Sequence, residues 1–211
     1  WLVQRLLGET ASVTRVIEGI IERFSQGSRL ILGFEGDGDI VTAEDAYARD
    51  EMGRAGGRDL GEEPGQHWLR HRYDVSFKMS RAFRAGAFTD TIEVATTWER
   101  LLPLYREVRA AVAPYALSMA HFSHAYADGC SIYFTMIGRR RAGPELSDEE
   151  NRVAVAEDQK LYDNLWRAAM QATLRQGATI SHHHGVGRLK APYMAAEHGA
   201  SLRIFSALRT A

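Results

Sequence analysis

Two strand-like runs lie close together in this sequence, Ala116–His124 (ALSMAHFSH) and Cys130–Gly138 (CSIYFTMIG). The short segment between them ends in Asp128-Gly129, a pair that is typical of hairpin turns because glycine accepts the backbone angles of a tight reversal. The two runs therefore predict an antiparallel hairpin. Successive side chains on a strand point to opposite faces, so we expect one buried face and one wet face.

Another strand and two helices flank this hairpin. Phe88–Ala95 (FTDTIEVA) alternates like a strand, and an amphipathic helix begins at Thr97-Trp98. After the hairpin, Ser147 and Glu150 predict a capping box for a long helix, which Gly177 ends. The apolar sides of the two helices are predicted to contain Leu101, Leu102, Leu104, Tyr105 and Val108 in the first, and Val153, Leu161, Leu165, Trp166, Ala169, Met170 and Leu174 in the second.

Nearer the start, Arg29–Phe34 (RLILGF) is an apolar run that predicts a buried strand. Thr42 with Asp45 resembles a capping box for a helix that continues to about Arg54, and His67–Tyr73 begins another helix. Strands and helices do not alternate regularly along the chain. The fold class that this order favours is α+β, with an antiparallel sheet covered by helices.

Composition limits the classes of function. The 211 residues are 45% hydrophobic and 25% charged, which suits one globular domain over residues 1–211. The 26 basic and 27 acidic residues leave a net charge of -1, so charge gives no reason to expect nucleic acid as a partner. No apolar run approaches the roughly 18 to 20 residues that a membrane span needs.

The chain has one cysteine, Cys130, so it has no internal disulfide, and this fits the reducing cytoplasm in which we expect the protein. It opens on Trp1 rather than methionine, and we expect it to be a piece of a longer protein.

Three consecutive histidines, His182–His184, are the strongest chemical signal. Gly185 and Gly187 follow them, which allows a sharp turn that presents the imidazoles from a loop. On a regular strand, at most two of the three would enter one pocket, although a glycine turn relaxes this limit. Imidazole suits proton transfer or metal ligation at neutral pH, and a polar surface loop is the alternative interpretation.

The hairpin carries a second group of titratable residues: His121, His124, Tyr126, Asp128 and Tyr133. Tyr133 lies between two apolar residues, so it is either an interior tyrosine that needs one hydrogen-bond partner or a general base. The second interpretation requires that its phenol approach His183 or His184.

A metal site is the competing use of these groups, because two or three histidines with Asp128 would satisfy a zinc ion. Structural zinc sites usually draw ligands at short spacings from two segments, and only the triple histidine is compact here, so we assign no metal. The acidic loop Glu35–Asp39 lacks the ligand spacing of an EF-hand. The sequence contains no dinucleotide fingerprint, Walker loop or Gly-x-Ser-x-Gly elbow, so another part of the protein must bind most of any cofactor.

Two longer motifs are recognisable, His121–Phe134 (HFSHAYADGCSIYF) and Ser181–Leu189 (SHHHGVGRL). They closely resemble the C-terminal domain of alkyldihydroxyacetonephosphate synthase-like FAD-linked oxidases, in the vanillyl-alcohol oxidase superfamily. Phe34–Asp37 and Trp98–Arg100 fall in the expected order, so the resemblance extends over about residues 29–200.

The resemblance implies a two-domain flavoenzyme. An N-terminal domain, absent from this chain, binds FAD, and this chain is the cap domain that covers the isoalloxazine ring and contacts the substrate. The implied reaction exchanges the acyl chain of acyl-dihydroxyacetone phosphate for a fatty alcohol through a flavin adduct, without net redox change. The alternatives are an FAD-dependent oxidoreductase of a 2-hydroxy acid or alcohol, and a non-catalytic metal- or ligand-binding domain.

The resemblance also implies roles for residues. The catalytic set is Tyr133, His183 and His184: Tyr133, activated by His184, removes a substrate proton, and His183 holds or protonates the departing group. Related hydroxy-acid dehydrogenases carry Glu-His-Gly where this chain has His183-His184-Gly185, together with a paired-histidine metal motif at the hairpin. Their metal carboxylate is missing here, which argues against that mechanism.

Other contacts and partners follow in the same way. The expected cofactor contacts are His182 and Arg188, and the expected substrate contacts are Arg70, Arg72 and His124. The expected partners are the protein's own FAD-binding domain, a small or lipid-like substrate and a second copy in a homodimer. We expect the chain alone to bind FAD weakly or not at all.

Overall fold

The computed structural model describes residues 28–74, 80, 82–84 and 86–210. They form two compact units, a smaller one of residues 28–74 and a larger one that begins at residue 80. No helix in these residues is both long and apolar enough to cross a membrane.

The smaller unit contains two helices, α1 (Gly38–Arg54) and α2 (Glu63–His71). The end of α1 at Arg54 is as predicted, but the helix begins earlier: Thr42 Oγ1 donates to the carbonyl of Gly38 at 2.7 Å and so lies inside the helix. The strand predicted over Arg29–Phe34 is wrong. That segment has no regular structure and is largely exposed, because residues 28–74 include no other strand with which it could pair.

The larger unit is built on a three-stranded antiparallel sheet. Its strands are β1 (Ala87–Thr97), β2 (Leu117–Ser123) and β3 (Gly129–Arg139), in the spatial order β1-β3-β2. The predicted hairpin is therefore confirmed as β2-β3, and β3 is the central strand. The α+β class is confirmed as well.

The helices of the larger unit differ in length. Two of them are long, α3 (Trp98–Val112) and α4 (Asp148–Arg175). The capping box of α4 is confirmed, since the Ser147 hydroxyl accepts the Glu150 amide hydrogen at 3.4 Å and the Glu150 carboxylate accepts the Ser147 amide hydrogen at 3.0 Å. The remaining elements are α5 (Gly187–Lys190), a 3₁₀ turn (Ala191–Tyr193), α6 (Met194–His198) and α7 (Ser201–Thr210).

The core lies between one face of the sheet and the two long helices. Its sheet side is formed by Ile92, Val94, Ile132, Phe134 and Met136, and its helix side includes Leu104, Val108, Val112, Leu165, Ala169 and Met170. The predicted apolar side of α3 is right at Leu104 but wrong at Leu102, which is exposed. Two residues along a helix are about 200° apart, so the two leucines cannot face the same core. Val153 is exposed too, because α4 packs mainly through its second half.

The opposite face of the sheet is polar. Glu93 of β1 and His121 of β2 are both paired in register with Tyr133 of β3, so the three side chains share this face. His121 and its neighbour Phe122 point to opposite faces, as the alternation predicted. The candidate site is built on this polar face.

Leu165→Ala should lower the free energy of unfolding by about 2–5 kcal/mol, because Leu165 is fully buried between α4 and the sheet and its truncation leaves a cavity. Urea denaturation followed by circular dichroism measures the change. Val155→Ala, on an exposed position of the same helix, is the matched control and should change it by less than about 0.5 kcal/mol. Equal losses in the two variants would contradict the packing described.

Candidate active site

The segment that carries the histidines is fixed to β1 before the first imidazole. The α4 helix ends at Arg175, and Gly177 just after it has a φ of +61°, in the left-handed region that favours glycine. Ala95 and Thr179 then exchange two backbone hydrogen bonds of 3.2 and 2.9 Å. The Glu197 carboxylate of α6 accepts the Thr179 hydroxyl at 2.6 Å and the Ile180 amide at 2.9 Å. The histidines are thereby carried to the polar side of the sheet.

The histidines themselves form a closed turn. The Ser181 hydroxyl donates to the carbonyl of Gly185 at 2.8 Å, and Gly185 and Gly187 have φ values of +78° and +55°. The turn that the glycines predicted is therefore present. Strand alternation does not apply here, and His182, His183 and His184 all enter one cluster.

The cluster joins the histidine turn to the hairpin. The Tyr133 hydroxyl lies 2.6 Å from Nε2 of His183, and Nδ1 of His183 lies 2.8 Å from Nδ1 of His182. The ring of His184 stands 5.0 Å from that of Tyr133, and the ring of His124 stands 4.6 Å from that of His183. The sequence assigned the activation of Tyr133 to His184, whereas the geometry gives the phenol hydrogen bond to His183.

Glu93 completes the cluster, and it was missed in the sequence. It is fully buried, and its Oε2 accepts the amide hydrogen of His182 at 3.0 Å. Its Oε1 has no hydrogen-bond partner and lies 3.4 and 3.5 Å from Nδ1 of His182 and His183. The ammonium of Lys190 donates to the Glu93 carbonyl at 3.0 Å and lies 3.9 Å from Oε2. A buried carboxylate thus faces both imidazoles.

These contacts bear on metal binding. The sequence has a histidine, His183, where the related dehydrogenases have their metal carboxylate, but a different carboxylate, that of Glu93, stands beside the histidines. Its carboxylate and the Nδ1 atoms of His182 and His183 lie within 4.8 Å of one another. Ligands of a tetrahedral zinc ion, each about 2.0–2.1 Å from the metal, are about 3.3 Å apart. The 2.8 Å contact between the two imidazoles is shorter and fits a hydrogen bond.

The surroundings set the protonation states of Tyr133 and His183. Burial raises the pKa of the Tyr133 phenol above its ordinary value, and the negative charge of Glu93 acts in the same direction. Desolvation lowers the pKa of His183; Glu93 opposes this, and the neighbouring imidazoles reinforce it. Both groups are therefore neutral near pH 7. A hydrogen bond between two neutral groups can run either way: the phenol donates to Nε2 of His183 when the ring hydrogen sits on Nδ1, and it accepts when that hydrogen sits on Nε2.

A cavity of about 300 Å³ adjoins the cluster, beside His184. Its walls are residues 184–190, which include Arg188, together with Asp90, Thr91, Tyr162 and Trp166. Asp90 accepts the Tyr162 hydroxyl at 2.5 Å and the Trp166 indole hydrogen at 3.0 Å. Arg188 is thus the one predicted cofactor contact that lines this cavity among the residues that the structure describes.

The Trp98–Arg100 motif makes hydrogen bonds to two segments that carry the cluster. The Trp98 indole donates to the carbonyl of Tyr126 at 3.0 Å, and the Arg100 guanidinium donates to the carbonyl of Gln176 at 3.3 Å. The first contact fixes the hairpin loop, and the second fixes the end of α4 just before the histidine segment.

The remaining predicted residues lie elsewhere. Arg70 pairs with Glu63 at 2.9 Å, and Arg72 donates to the carbonyl of Leu69 and lies 4.4 Å over the ring of Tyr73. Both arginines therefore engage residues of the smaller unit.

On the hairpin, His121 has its ring 5.9 Å from that of Tyr133, and Tyr126 has its ring 5.5 Å from that of His182. Asp128 does not belong to the group of potential ligands found among the described residues; its carbonyl accepts the Trp98 amide hydrogen at 3.2 Å.

Glu93 could have been found from one signal. Within the predicted strand Phe88–Ala95, it is a glutamate between two apolar residues, Ile92 and Val94. The side chain of such a residue either faces water or, when buried, needs a polar partner. The register between β1 and β3 decides which of the two applies. The sequence holds no comparable signal for Lys190 or Glu197, because both come from short helices after the histidine turn.

Comparison with known proteins agrees with this architecture. The family model of FAD linked oxidases, C-terminal domain, matches residues 11–211. The chain belongs to this family. It is 26% identical to the alkyldihydroxyacetonephosphate synthase of Trypanosoma brucei brucei over 83% of the chain and 28% of that protein. It is 24% identical to the synthase of Dictyostelium discoideum over 78% of the chain and 26% of that protein.

A solved structure of an alkyldihydroxyacetonephosphate synthase superposes with a TM-score of 0.52 at 19% identity, over 78% of this chain and 27% of that one. This likeness confirms the fold. The chain spans little more than a quarter of the length of these relatives.

Tyr162, in the wall of the cavity, should make the protein sensitive to alkaline pH. Burial and the nearby Asp90 carboxylate raise the pKa of its phenol. The folded protein therefore keeps this proton to higher pH than the unfolded chain does. Its contribution to stability is complete below about pH 10 and is lost as the pH rises through the folded-state pKa.

Urea denaturation between about pH 9 and about pH 11 tests this. In Tyr162→Phe, the free energy of unfolding should fall less steeply with pH. The slope should differ from that of the wild type by an amount equivalent to up to about one bound proton per molecule. Tyr47→Phe, at an exposed tyrosine, is the control and should decline as the wild type does. A Tyr162→Phe slope equal to that of the wild type would refute the assignment.

Proposed function

We propose that this chain is the catalytic cap domain of an FAD-dependent enzyme that resembles alkyldihydroxyacetonephosphate synthase. The reaction is the exchange of the acyl chain of acyl-dihydroxyacetone phosphate for a fatty alcohol. The observation that carries the proposal is the 2.6 Å contact between the Tyr133 hydroxyl and Nε2 of His183. The names of the relatives and the family membership support it.

The pair can move a proton. His183 accepts the phenol hydrogen at Nε2, and the Tyr133 oxygen then takes a proton from the substrate carbon beside the carbonyl. Because the phenol pKa is raised, the phenolate is a strong base once it forms and exists only briefly. His183 holds the proton in the meantime.

His184 stands beside both groups, with its ring 5.0 Å from that of Tyr133 and 4.6 Å from that of His183. It is exposed and lines the cavity, so it can donate a hydrogen to the departing carboxylate oxygen. This reverses the two histidine roles that the resemblance implied. We assign the proton acceptor to His183 and the leaving-group contact to His184.

FAD is the cofactor that the family implies. The side chains of this site suit contact with its isoalloxazine ring and not with the rest of the molecule. The three histidines are exposed, and they offer ring nitrogens and planar faces beside the cavity. We assign His182 and Arg188 to cofactor contact, and His124, Arg70 and Arg72 to substrate contact. When bound, the flavin would supply an electron-accepting ring to the substrate. The sequence has no loop for its pyrophosphate, so an N-terminal domain of the same protein holds the rest.

We also propose a homodimer and a cytoplasmic location, which the sequence predicts and which stay predictions.

The test uses the full-length flavoprotein. Long-chain acyl-dihydroxyacetone phosphate should bleach the flavin absorbance without an added electron acceptor. Tyr133→Phe should slow this bleaching by about 10² to 10⁴-fold, the usual contribution of a general base. His184→Ala should also lose it, and Tyr47→Phe, at an exposed tyrosine of the smaller unit, should not.

Other outcomes separate the alternatives. Bleaching by a 2-hydroxy acid, with recovery on adding an electron acceptor, would make the protein an oxidoreductase and overturn the transferase proposal. A full-length protein without flavin would exclude both enzyme readings and leave a metal- or ligand-binding domain.

A further inference from the structure

Glu93 is costly to the fold as it stands. It is fully buried in β1, a position where valine, isoleucine or threonine would suit a strand better. Oε1 has no hydrogen-bond partner among the described residues, and an unpaired buried carboxylate oxygen destabilises a protein. Strand formation therefore does not explain a glutamate at position 93. The contacts of Glu93 with the histidine cluster do explain it.

The carboxylate is held so that one oxygen faces the imidazoles. Oε2 accepts the His182 amide hydrogen, and Lys190 lies on the same side at 3.9 Å. Oε1 is left 3.5 Å from Nδ1 of His183, whose other nitrogen is 2.6 Å from the Tyr133 hydroxyl. Nδ1 of His183 also lies 2.8 Å from Nδ1 of His182, so the charge of Oε1, which makes no hydrogen bond to the residues that the structure describes, faces the hydrogen between the two imidazoles, and the phenol lies beyond His183.

The sheet fixes the two ends of this series. Glu93 and Tyr133 are directly paired across β1 and β3, so the distance between their backbones is set by the ladder. His183 bridges them from the loop. In a Ser-His-Asp triad, a buried carboxylate likewise fixes the tautomer of an imidazole and stabilises its protonated form.

We propose that Glu93 is the positioning residue of this site: it keeps the hydrogen of His183 on Nδ1, so that Nε2 faces Tyr133 as the proton acceptor. Its charge balances the imidazolium that forms when the phenol proton moves from the Tyr133 oxygen to Nε2. The net charge of the three groups is -1 before and after the transfer. The tautomer part stands on geometry alone, and the catalytic part rests on the proposed function.

The same contact explains why His183, and not His184, serves the phenol. No hydrogen bond joins His184 to Tyr133 or Glu93 in the part of the chain that the structure describes; its contacts are ring contacts with Tyr133 and His183 at 5.0 and 4.6 Å. Glu93 therefore selects one of two adjacent imidazoles.

Two substitutions in the full-length flavoprotein test the proposal. Glu93→Gln keeps the side-chain size and removes the charge, and Glu93→Asp keeps the charge on a shorter side chain. Glu93→Gln should slow flavin bleaching by acyl-dihydroxyacetone phosphate by about 10²-fold or more with KM nearly unchanged, since loss of the triad aspartate costs up to about 10⁴-fold. Glu93→Asp should recover part of the rate. Glu44→Gln, at an exposed glutamate of α1, is the matched control.

A second readout needs no substrate. ¹⁵N NMR of labelled histidine should show His183 with its hydrogen on Nδ1 in the wild type and in Glu93→Asp, and a shift toward Nε2 in Glu93→Gln. A tautomer that does not change in Glu93→Gln would overturn the proposal. If the tautomer shifts but the acyl phosphate never bleaches the flavin, the proposed function fails and the positioning role stands.

Two further outcomes are decisive. If Glu93→Gln does not fold, Glu93→Asp decides: a loss of rate as large as that of His183→Gln, in a folded protein, would overturn the proposal. Metal analysis covers the other use of the same atoms. One equivalent of a divalent cation in the wild type, lost in Glu93→Gln, would make Glu93 a metal ligand instead.

Discussion

The site depends on two backbone hydrogen bonds between Ala95 and Thr179. They attach the segment after α4 to the free edge of β1, near the end of that strand. Without this attachment, the histidine turn would have no fixed position relative to the hairpin, since the two lie about fifty residues apart in the chain. Every short distance in the cluster follows from it, because Tyr133 is fixed by the sheet and His183 by the turn.

The second constraint is electrostatic. The polar face of the sheet buries Glu93 and Lys190 next to each other, and neither has free access to water. Burial lowers the pKa of Lys190 below its ordinary value, and the nearby carboxylates of Glu93 and Glu197 oppose this only in part. The result is a preorganised polar layer under an exposed group of rings. Such a layer can respond to a moving proton without reorganising solvent.

Much of this architecture was readable from the sequence. The Asp128-Gly129 pair, the capping box at Ser147 and the alternation of Phe88–Ala95 each act locally, and local signals predicted the hairpin, α4 and β1 correctly, although Gly129 is the first residue of β3 and the chain reverses before it. The strand predicted over Arg29–Phe34 failed because a strand needs a partner, which an apolar run cannot reveal. For the phenol, the resemblance named His184 and the structure gives the hydrogen bond to His183, for a related reason: the backbone of a glycine turn decides where each imidazole points. Glu93 joined the site only through cross-strand register.

The strand order has a consequence for how such a site can change. Tyr133 lies on β3, which is hydrogen-bonded to a neighbour on each side, whereas the histidines lie on a short loop whose backbone pairs with the sheet at Thr179 and which is otherwise held by the side chains of Glu93 and Tyr133. The sheet therefore fixes the position of the phenol, whereas the loop decides the positions of the imidazoles. Insertions or replacements in the loop would alter the chemistry offered to a substrate while the scaffold beneath stayed the same. A fold built in this way separates what must be conserved for stability from what can diversify.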